Sequence, residues 1–106
     1  MKMTMEKVYI SGPITGYDLQ ERRAAFSLAA EYIIRKGGQP VNPLELGSDP
    51  GLMDYAAHMG TDITALLRCE AVMFLPGWHA SDGCTLEFAA ARIYGKHIMF
   101  YDEEEG

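Results

Sequence analysis

Four short runs of β-prone residues alternate with three longer segments of helical periodicity, and this alternation is the strongest constraint on the fold. The β-prone runs are 7–10, 39–43, 71–75 and 97–101, and the helical segments are 18–36, 52–69 and 84–94. Strands that alternate with helices form parallel sheets joined by right-handed crossovers. The pattern therefore predicts an α/β domain built on a parallel sheet.

Local signals indicate where the elements begin and end. Asp18 followed by Glu21 is typical of a capping box at the start of the first helix, and the glycines at 37–38 end it. The prolines of segment 39–43 favour a strand at the sheet edge. Gly60 could divide the second helix into two. We expect a flavodoxin-like three-layer sandwich with a four- to five-stranded parallel sheet in the order 2-1-3-4.

The composition is that of a globular protein: 106 residues, of which 48% are hydrophobic and 23% charged. We expect one domain over residues 1–101 and an acidic C-terminal tail over 102–106. No apolar run approaches the roughly 18 residues that cross a bilayer, and the polar start lacks the apolar core of a secretion signal. We therefore expect a cytoplasmic protein that does not bind membranes.

Two further classes of site are disfavoured by composition. Cys69 and Cys84 show neither CxxC spacing nor a His/Cys cluster, so we interpret both as reduced, buried thiols and expect no metal. The net charge of −6 argues against a partner that is a nucleic-acid polymer, because such affinity comes from clustered Lys and Arg. The acidic tail supplies −4 of this charge, so binding of a small anionic ligand by backbone amides remains an open alternative.

Two unusual loops follow the first and third strands. In such sheets ligands bind beyond the carboxyl ends of the strands where the strand order reverses, which here lies between these two strands. The first loop, 11–16, combines two glycines with two hydroxyls and permits close approach of a ligand to the backbone. It matches neither GxGxxG nor a Walker loop, and its alternative role is an ordinary tight turn.

The second loop, 76–83, leads into a helix whose first turn we expect to contain Glu87. The amides and dipole of a helix start favour an anion, and Ser81 adds a hydroxyl. The same dipole would favour the ionised form of Glu87, which could attack a sugar anomeric carbon or stabilise an oxocarbenium-like transition state. Alternatively, Glu87 only complements the helix dipole, and Ser81 or Asp82 only caps the helix.

Several other side chains have two roles open to them. Trp78 could stack on a base or serve as a packing lid. Tyr9 could orient Glu87 by a hydrogen bond or simply pack in its strand. Asp62 could cap a helix or act as an acid for a leaving base. The histidines lack ligand spacing and are interpreted as exposed or structural: His58, His79 and His97.

These residues resemble the nucleoside 2-deoxyribosyltransferase superfamily over nearly the whole chain. The resemblance rests on Tyr-Ile-Ser-Gly-Pro at 9–13, Asp62 with Leu66, the strand entry 70–72, and Ser-Asp-Gly at 81–83 followed by Glu87. It is closest to a branch of small bacterial and phage-associated proteins, related to deoxynucleoside monophosphate N-glycosidases, that carry Val-Asn-Pro and Leu-Pro-Gly-Trp. Here those motifs stand at 41–43 and 75–78.

The resemblance implies cleavage or transfer at the N-glycosidic bond of a (deoxy)ribonucleoside or its 5′-monophosphate, without a cofactor. It implies Glu87 as nucleophile, Tyr9 as its orienter and Asp62 near the base, with Ser81 contacting a 5′-phosphate. It also implies a homodimer or higher homo-oligomer. The sequence departs from the pattern at Glu70, where aspartate is usual, and at Thr15, where the hydrolases tend to carry arginine. The substrate-binding residues would be Ser11, Gly12, Pro13, Asn42, Gly77, Trp78, Ser81 and Gly83.

Two functions of other classes are alternatives to an enzymatic function. One is a non-catalytic nucleotide-binding or sensing module with the same fold. The other is a structural, phage-associated protein that has kept only the fold. Release of free base from nucleosides or monophosphates would indicate the enzyme, and saturable binding without release would indicate the sensor.

Overall fold

The computed structural model describes residues 5–46 and 54–102 and contains a four-stranded, fully parallel sheet in the order β2-β1-β3-β4. The strands are β1 (Lys7–Ser11), β2 (Gln39–Val41), β3 (Ala71–Phe74) and β4 (His97–Phe100). The α-helices are α1 (Leu19–Arg35), α2 (Tyr55–Leu67) and α3 (Asp82–Ile93), and short 3₁₀ turns occupy Pro43–Glu45 and Trp78–Ala80. The predicted fold class and strand order are confirmed.

The register of the two central strands brings their carboxyl ends to the same level. β1 and β3 pair from Val8 opposite Ala71 to Ser11 opposite Phe74. The loops that follow these strands therefore begin side by side, at the point where the strand order reverses. This is the placement that the predicted site requires.

Each helix begins at a side-chain cap. Asp18 accepts a hydrogen bond from the Glu21 amide at 2.9 Å, Asp54 accepts from the Ala57 amide at 2.8 Å, and Ser81 accepts from the Cys84 amide at 3.3 Å. These bonds satisfy amides that a helix start leaves without intrahelical acceptors. The sequence signal at Asp18 thus marks the observed start of α1.

The second helix differs from its prediction. α2 continues through Gly60 without interruption, so the predicted break there is wrong. A glycine inside a helix costs about 1 kcal/mol relative to alanine, which neighbouring packing can offset. The predicted start of the second helix at residue 52 lies outside the described residues, as does most of the predicted acidic tail.

The core has two halves, one on each face of the sheet. On one face α1 contributes Phe26, Ala29 and Ile33. On the other face α2 contributes Leu66 and α3 contributes Ala91. Successive residues of β1 and β3 alternate between the halves, as expected for strands covered on both faces. Within the described ranges, none of the helices is long and apolar enough to cross a membrane.

The backbone at Gly12 approaches the core so closely that a side chain does not fit. A Cβ atom placed there would lie 2.8 Å from Leu75 Cδ1 and 3.0 Å from Phe26 Cζ. We expect Gly12→Ala to lower the free energy of unfolding by about 1–3 kcal/mol, as overpacking does. Gly60→Ala is the matched control, because a Cβ there meets nothing within 4 Å, and it should stabilise α2 by about 0.5–1 kcal/mol. Urea denaturation measures both; equal effects of the two substitutions would contradict this assignment.

Candidate active site

The carboxylate of Glu87 is fixed by two hydroxyl groups of the central strand. Tyr9 Oη donates to Glu87 Oε2 at 2.7 Å, and Ser11 Oγ donates to Glu87 Oε1 at 2.6 Å. Tyr9 and Ser11 are two residues apart in β1, so their side chains leave the same face of the sheet and meet α3. Glu87 is only 4% exposed. Strand and helix together therefore hold both carboxylate oxygens in one orientation.

Burial controls the proton affinity of this carboxyl. It raises the pKa of Glu87 to about 7, although the hydrogen bonds from Ser11 and Tyr9 oppose this rise and the charge of Asp62 adds to it. The pKa of Tyr9 is also raised well above its usual value, first by burial and then by the charge of Glu87. Tyr9 consequently keeps its proton and remains a donor to Glu87 near neutral pH.

The position of Glu87 along α3 differs from its prediction. α3 begins at Asp82 because Ser81 caps it, which places Glu87 in the second turn, so the predicted first-turn position is wrong. The effect of the helix dipole falls off within the first turn. The expectation that the dipole favours the ionised form is therefore also wrong, since burial dominates and shifts the pKa upward.

A cavity of about 550 Å³ opens beside Glu87. This volume is within the range of about 300–1,000 Å³ that is usual for small-molecule sites. Its walls come from the loop after β1, the segment around the 3₁₀ turn Pro43–Glu45, the start of α3 and one side of α2. Six of the residues predicted for the site line it: Gly12, Pro13, Asp62, Ser81, Gly83 and Glu87.

Asp62 lies inside α2 and does not cap it, because the cap of this helix is Asp54. The capping role left open for Asp62 is therefore excluded. Its carboxyl lines the cavity, and burial raises its pKa to about 6, against the opposing effect of the charge of His58. Two carboxyl groups with elevated pKa values, Asp62 and Glu87, thus share one cavity.

The other predicted site residues lie outside the described cavity lining. Tyr9 and Ser11 stand behind Glu87 and act on it. The Asn42 side chain accepts a hydrogen bond from the Leu44 amide at 3.0 Å and closes a 3₁₀ turn. Gly77 has a left-handed φ of 86°, which permits the turn after β3.

Trp78 packs among aromatic rings and does not line the cavity. Its ring stacks on Phe88 with centroids 4.7 Å apart and lies 5.1 Å from the ring of Phe74. Phe100 extends the same cluster. Of the two roles that the sequence leaves open for Trp78, base stacking and packing, the structure shows packing.

The residues around the cavity that sequence reasoning missed include His58, Cys84 and Arg22. His58 and Cys84 line it. The buried Arg22 supports the first loop, since its guanidinium donates to the Pro13 carbonyl at 3.3 Å and lies 5.0 Å from the ring centroid of Tyr17. For His58 the available signal was its spacing of four residues before Asp62, which places both on one side of a helix.

The side chains of the described ranges contain no group of three or more His, Cys, Asp or Glu that could hold a metal ion. Cys69 and Cys84 are buried free thiols, as predicted. Burial is the main cause that raises the pKa of each thiol. Both cysteines are therefore protonated near neutral pH, and the ionisable oxygens of the cavity carry the candidate chemistry.

Comparison with known proteins identifies both a family and a fold. The model of a family described as "Domain of unknown function (DUF4406)" matches residues 6–100. No curated protein matches the sequence.

Solved structures with the same fold include enzymes that act on nucleosides or nucleotides. A 2-deoxyribosyltransferase from Bacillus psychrosaccharolyticus has a TM-score of 0.66 at 19% identity over 89% of this chain and 70% of its own. A 2-desoxiribosyltransferase from Leishmania mexicana has a TM-score of 0.68 at 18% identity over 91% of this chain, which spans only 63% of that protein. A CMP N-glycosidase from Clostridium botulinum has a TM-score of 0.63 at 18% identity over 92% of this chain and 76% of its own. The chain thus has the nucleoside 2-deoxyribosyltransferase-like fold.

The elevated pKa of Glu87 predicts how stability changes with pH. Because this carboxyl has a pKa of about 7 in the folded protein and near 4.5 when unfolded, the folded state binds more protons between these values. The contribution of this carboxyl to the free energy of unfolding is complete below about pH 4.5. As pH rises through 7 that contribution is lost, which lowers the free energy of unfolding by about 3 kcal/mol in total. Glu87→Gln stays neutral, so its stability relative to the wild type should improve steadily from pH 5 to pH 8.

Urea denaturation of both proteins at intervals between pH 5 and pH 8 measures this difference. Asp62 is present in both proteins, so the two curves differ by the ionisation of Glu87 and its interaction with Asp62. Stability curves that run parallel over this range would contradict a raised pKa at Glu87.

Proposed function

This chain belongs to the family described as Domain of unknown function (DUF4406), and we propose that it cleaves or transfers at the N-glycosidic bond of a nucleoside or its 5′-monophosphate, with Glu87 as nucleophile. The observation that carries the proposal is the carboxylate of Glu87, held by Tyr9 and Ser11 at the wall of a cavity that also contains Asp62. A carboxylate that only complemented a helix end would need neither strand hydroxyl. The folds of the three enzymes described above agree with this chemistry.

The proposed reaction has two displacements. In the first, a Glu87 oxygen forms a bond to C1′ while the bond from C1′ to the base nitrogen breaks, and its electron pair leaves with the base. The neutral carboxyl of Asp62 gives its proton to the departing base. In the second, water or another base attacks C1′, Glu87 leaves as carboxylate, and the proton of the attacking group returns to Asp62.

The two hydroxyl donors suit Glu87 to this role. Each carboxylate oxygen has two lone pairs, so the hydrogen bonds from Tyr9 and Ser11 leave one on each oxygen for a substrate. The donors fix the direction of attack, which supports a near-attack arrangement without further ordering. They also stabilise the carboxylate when it leaves C1′.

Two features bear on the charge of the substrate. The start of α3 supports a 5′-phosphate, because a helix leaves its first amides without intrahelical acceptors and Ser81 adds a hydroxyl at the cavity wall. The described lining includes the carboxyls of Asp62, Asp82 and Glu87 and no Lys or Arg, which supports an uncharged nucleoside. The deciding experiment therefore incubates the protein with a panel of nucleosides and their monophosphates and measures free base by chromatography.

We expect Glu87→Ala to abolish base release from whichever member of this panel the wild type cleaves. Loss of a covalent nucleophile should raise the barrier by several kcal/mol, which is about a thousandfold or more in rate. Glu31→Ala, at an exposed position of α1, is the matched control and should react like the wild type. A folded Glu87→Ala protein that releases base at the wild-type rate would refute the mechanism. Binding of nucleotides without release, by wild type and variant alike, would favour the sensing module.

The pH dependence of base release provides a separate test. The reactive form has Glu87 ionised and Asp62 protonated. With pKa values of about 7 and about 6 it is the less populated of the two one-proton forms, and its population peaks between pH 6 and 7. We expect a bell-shaped profile of kcat/KM with its maximum in that interval. Asp62→Asn cannot lose a proton, so its slower reaction should rise with pH to a plateau and show no decline above pH 7. A decline that persists in Asp62→Asn would exclude Asp62 as the acid.

A further inference from the structure

His58 has a feature that the proposed mechanism does not use. Its imidazole lines the cavity, and its Nε2 atom is buried without a hydrogen-bond partner among the described residues. A buried polar atom without a partner costs free energy, because it has lost its hydrogen bonds to water and gained none. A ligand in the cavity that displaces the atoms covering Nε2 and offers it a polar atom would remove this cost.

The position of His58 relative to Glu87 indicates which part of a ligand would meet it. Glu87 comes from α3 and must contact C1′ of the sugar. The base departs toward Asp62, which comes from α2. His58 precedes Asp62 by one helical turn, so the two side chains are neighbours on the same side of α2. The charge of His58 accordingly acts on Asp62. His58 therefore belongs to the wall that faces the base.

We propose that His58 is a base-contacting residue, whose Nε2 hydrogen-bonds the nucleobase of the bound nucleoside or nucleotide beside the atom that Asp62 protonates. The inference rests on the proposed function for the class of ligand and for the roles of Glu87 and Asp62, which set where the base lies. It adds that the base must present two polar atoms along one edge. One of these atoms is protonated by Asp62 and the other meets His58. His58 would then distinguish bases that differ at the atom it meets.

The backbone of His58 is satisfied independently of its ring. Its amide donates to the Asp54 carbonyl at 3.0 Å, as part of the first turn of α2. Removal of the imidazole breaks no hydrogen bond at Nε2, so His58 variants should remain folded. A loss of ligand affinity in such variants would then report the contact with the base.

The test compares His58→Ala, His58→Gln and a matched control, His97→Ala, at the amino end of β4 and so at the opposite edge of the sheet. The probes are deoxyadenosine, deoxyguanosine, deoxycytidine, thymidine and their 5′-monophosphates, and calorimetry gives the Kd of each. We expect His58→Ala to weaken the best probe about tenfold and to reduce discrimination among bases. His58→Gln, which keeps a polar atom at similar reach, should recover most of the affinity, and His97→Ala should lose none.

A spectroscopic readout separates base contact from packing. In ¹⁵N-histidine-labelled protein, the Nε2 resonance of His58, assigned by its absence from His58→Gln, should shift when the best probe saturates the site. Wild-type affinity in His58→Ala, or a resonance that stays in place while the probe binds, would overturn the proposal even if base release is normal. Binding that depends on His58 without any base release would refute the proposed reaction and support this contact. Failure of every probe to bind the wild type would overturn both.

Discussion

The paired hydrogen bonds from Tyr9 and Ser11 to Glu87 are the interaction on which the site depends, because they join α3 to the centre of the sheet. A carboxylate buried without partners would cost several kcal/mol and would simply stay protonated. The two hydroxyls offset part of that cost, and the remainder appears as a pKa of about 7. Near neutral pH the group therefore exists in both charge states, which suits a carboxyl that must be ionised to attack and is buried enough to exclude water.

Much of the fold followed from local sequence signals. The β-prone runs, the prolines around Val41 and the glycines at 37–38 predicted the strands, the edge position of β2 and the end of α1. Strand order then placed the two loops together, since parallel strands present their carboxyl ends at one edge. The positions of Glu87 and Tyr9 in those elements, together with the family resemblance, predicted that the two residues act as a pair.

The errors arose where the outcome depended on tertiary contacts. The sequence predicted a start of the third helix at residue 84, whereas α3 begins two residues earlier at Asp82, and that difference moved Glu87 into the second turn. Burial then reversed the expected direction of its pKa shift. Trp78 stands in a loop rich in polar groups, but the aromatic neighbours that hold it come from three separate elements, β3, α3 and β4, which only the tertiary fold brings together around it. His58 and Asp62 face the cavity because of the way α2 is rotated about its own axis, and this rotation depends on tertiary packing.

The division of the cavity between secondary-structure elements has a consequence for how such proteins diversify. The carboxylate of Glu87 and its two hydroxyl partners belong to β1 and α3, whereas the part of the wall that contains His58 and Asp62 belongs to α2. Amino-acid replacements on α2 can therefore reshape what the cavity admits while the buried triad is left undisturbed. Gene duplication followed by drift in this one helix offers a short evolutionary route to new ligand preferences, and directed evolution libraries confined to α2 would sample the same route.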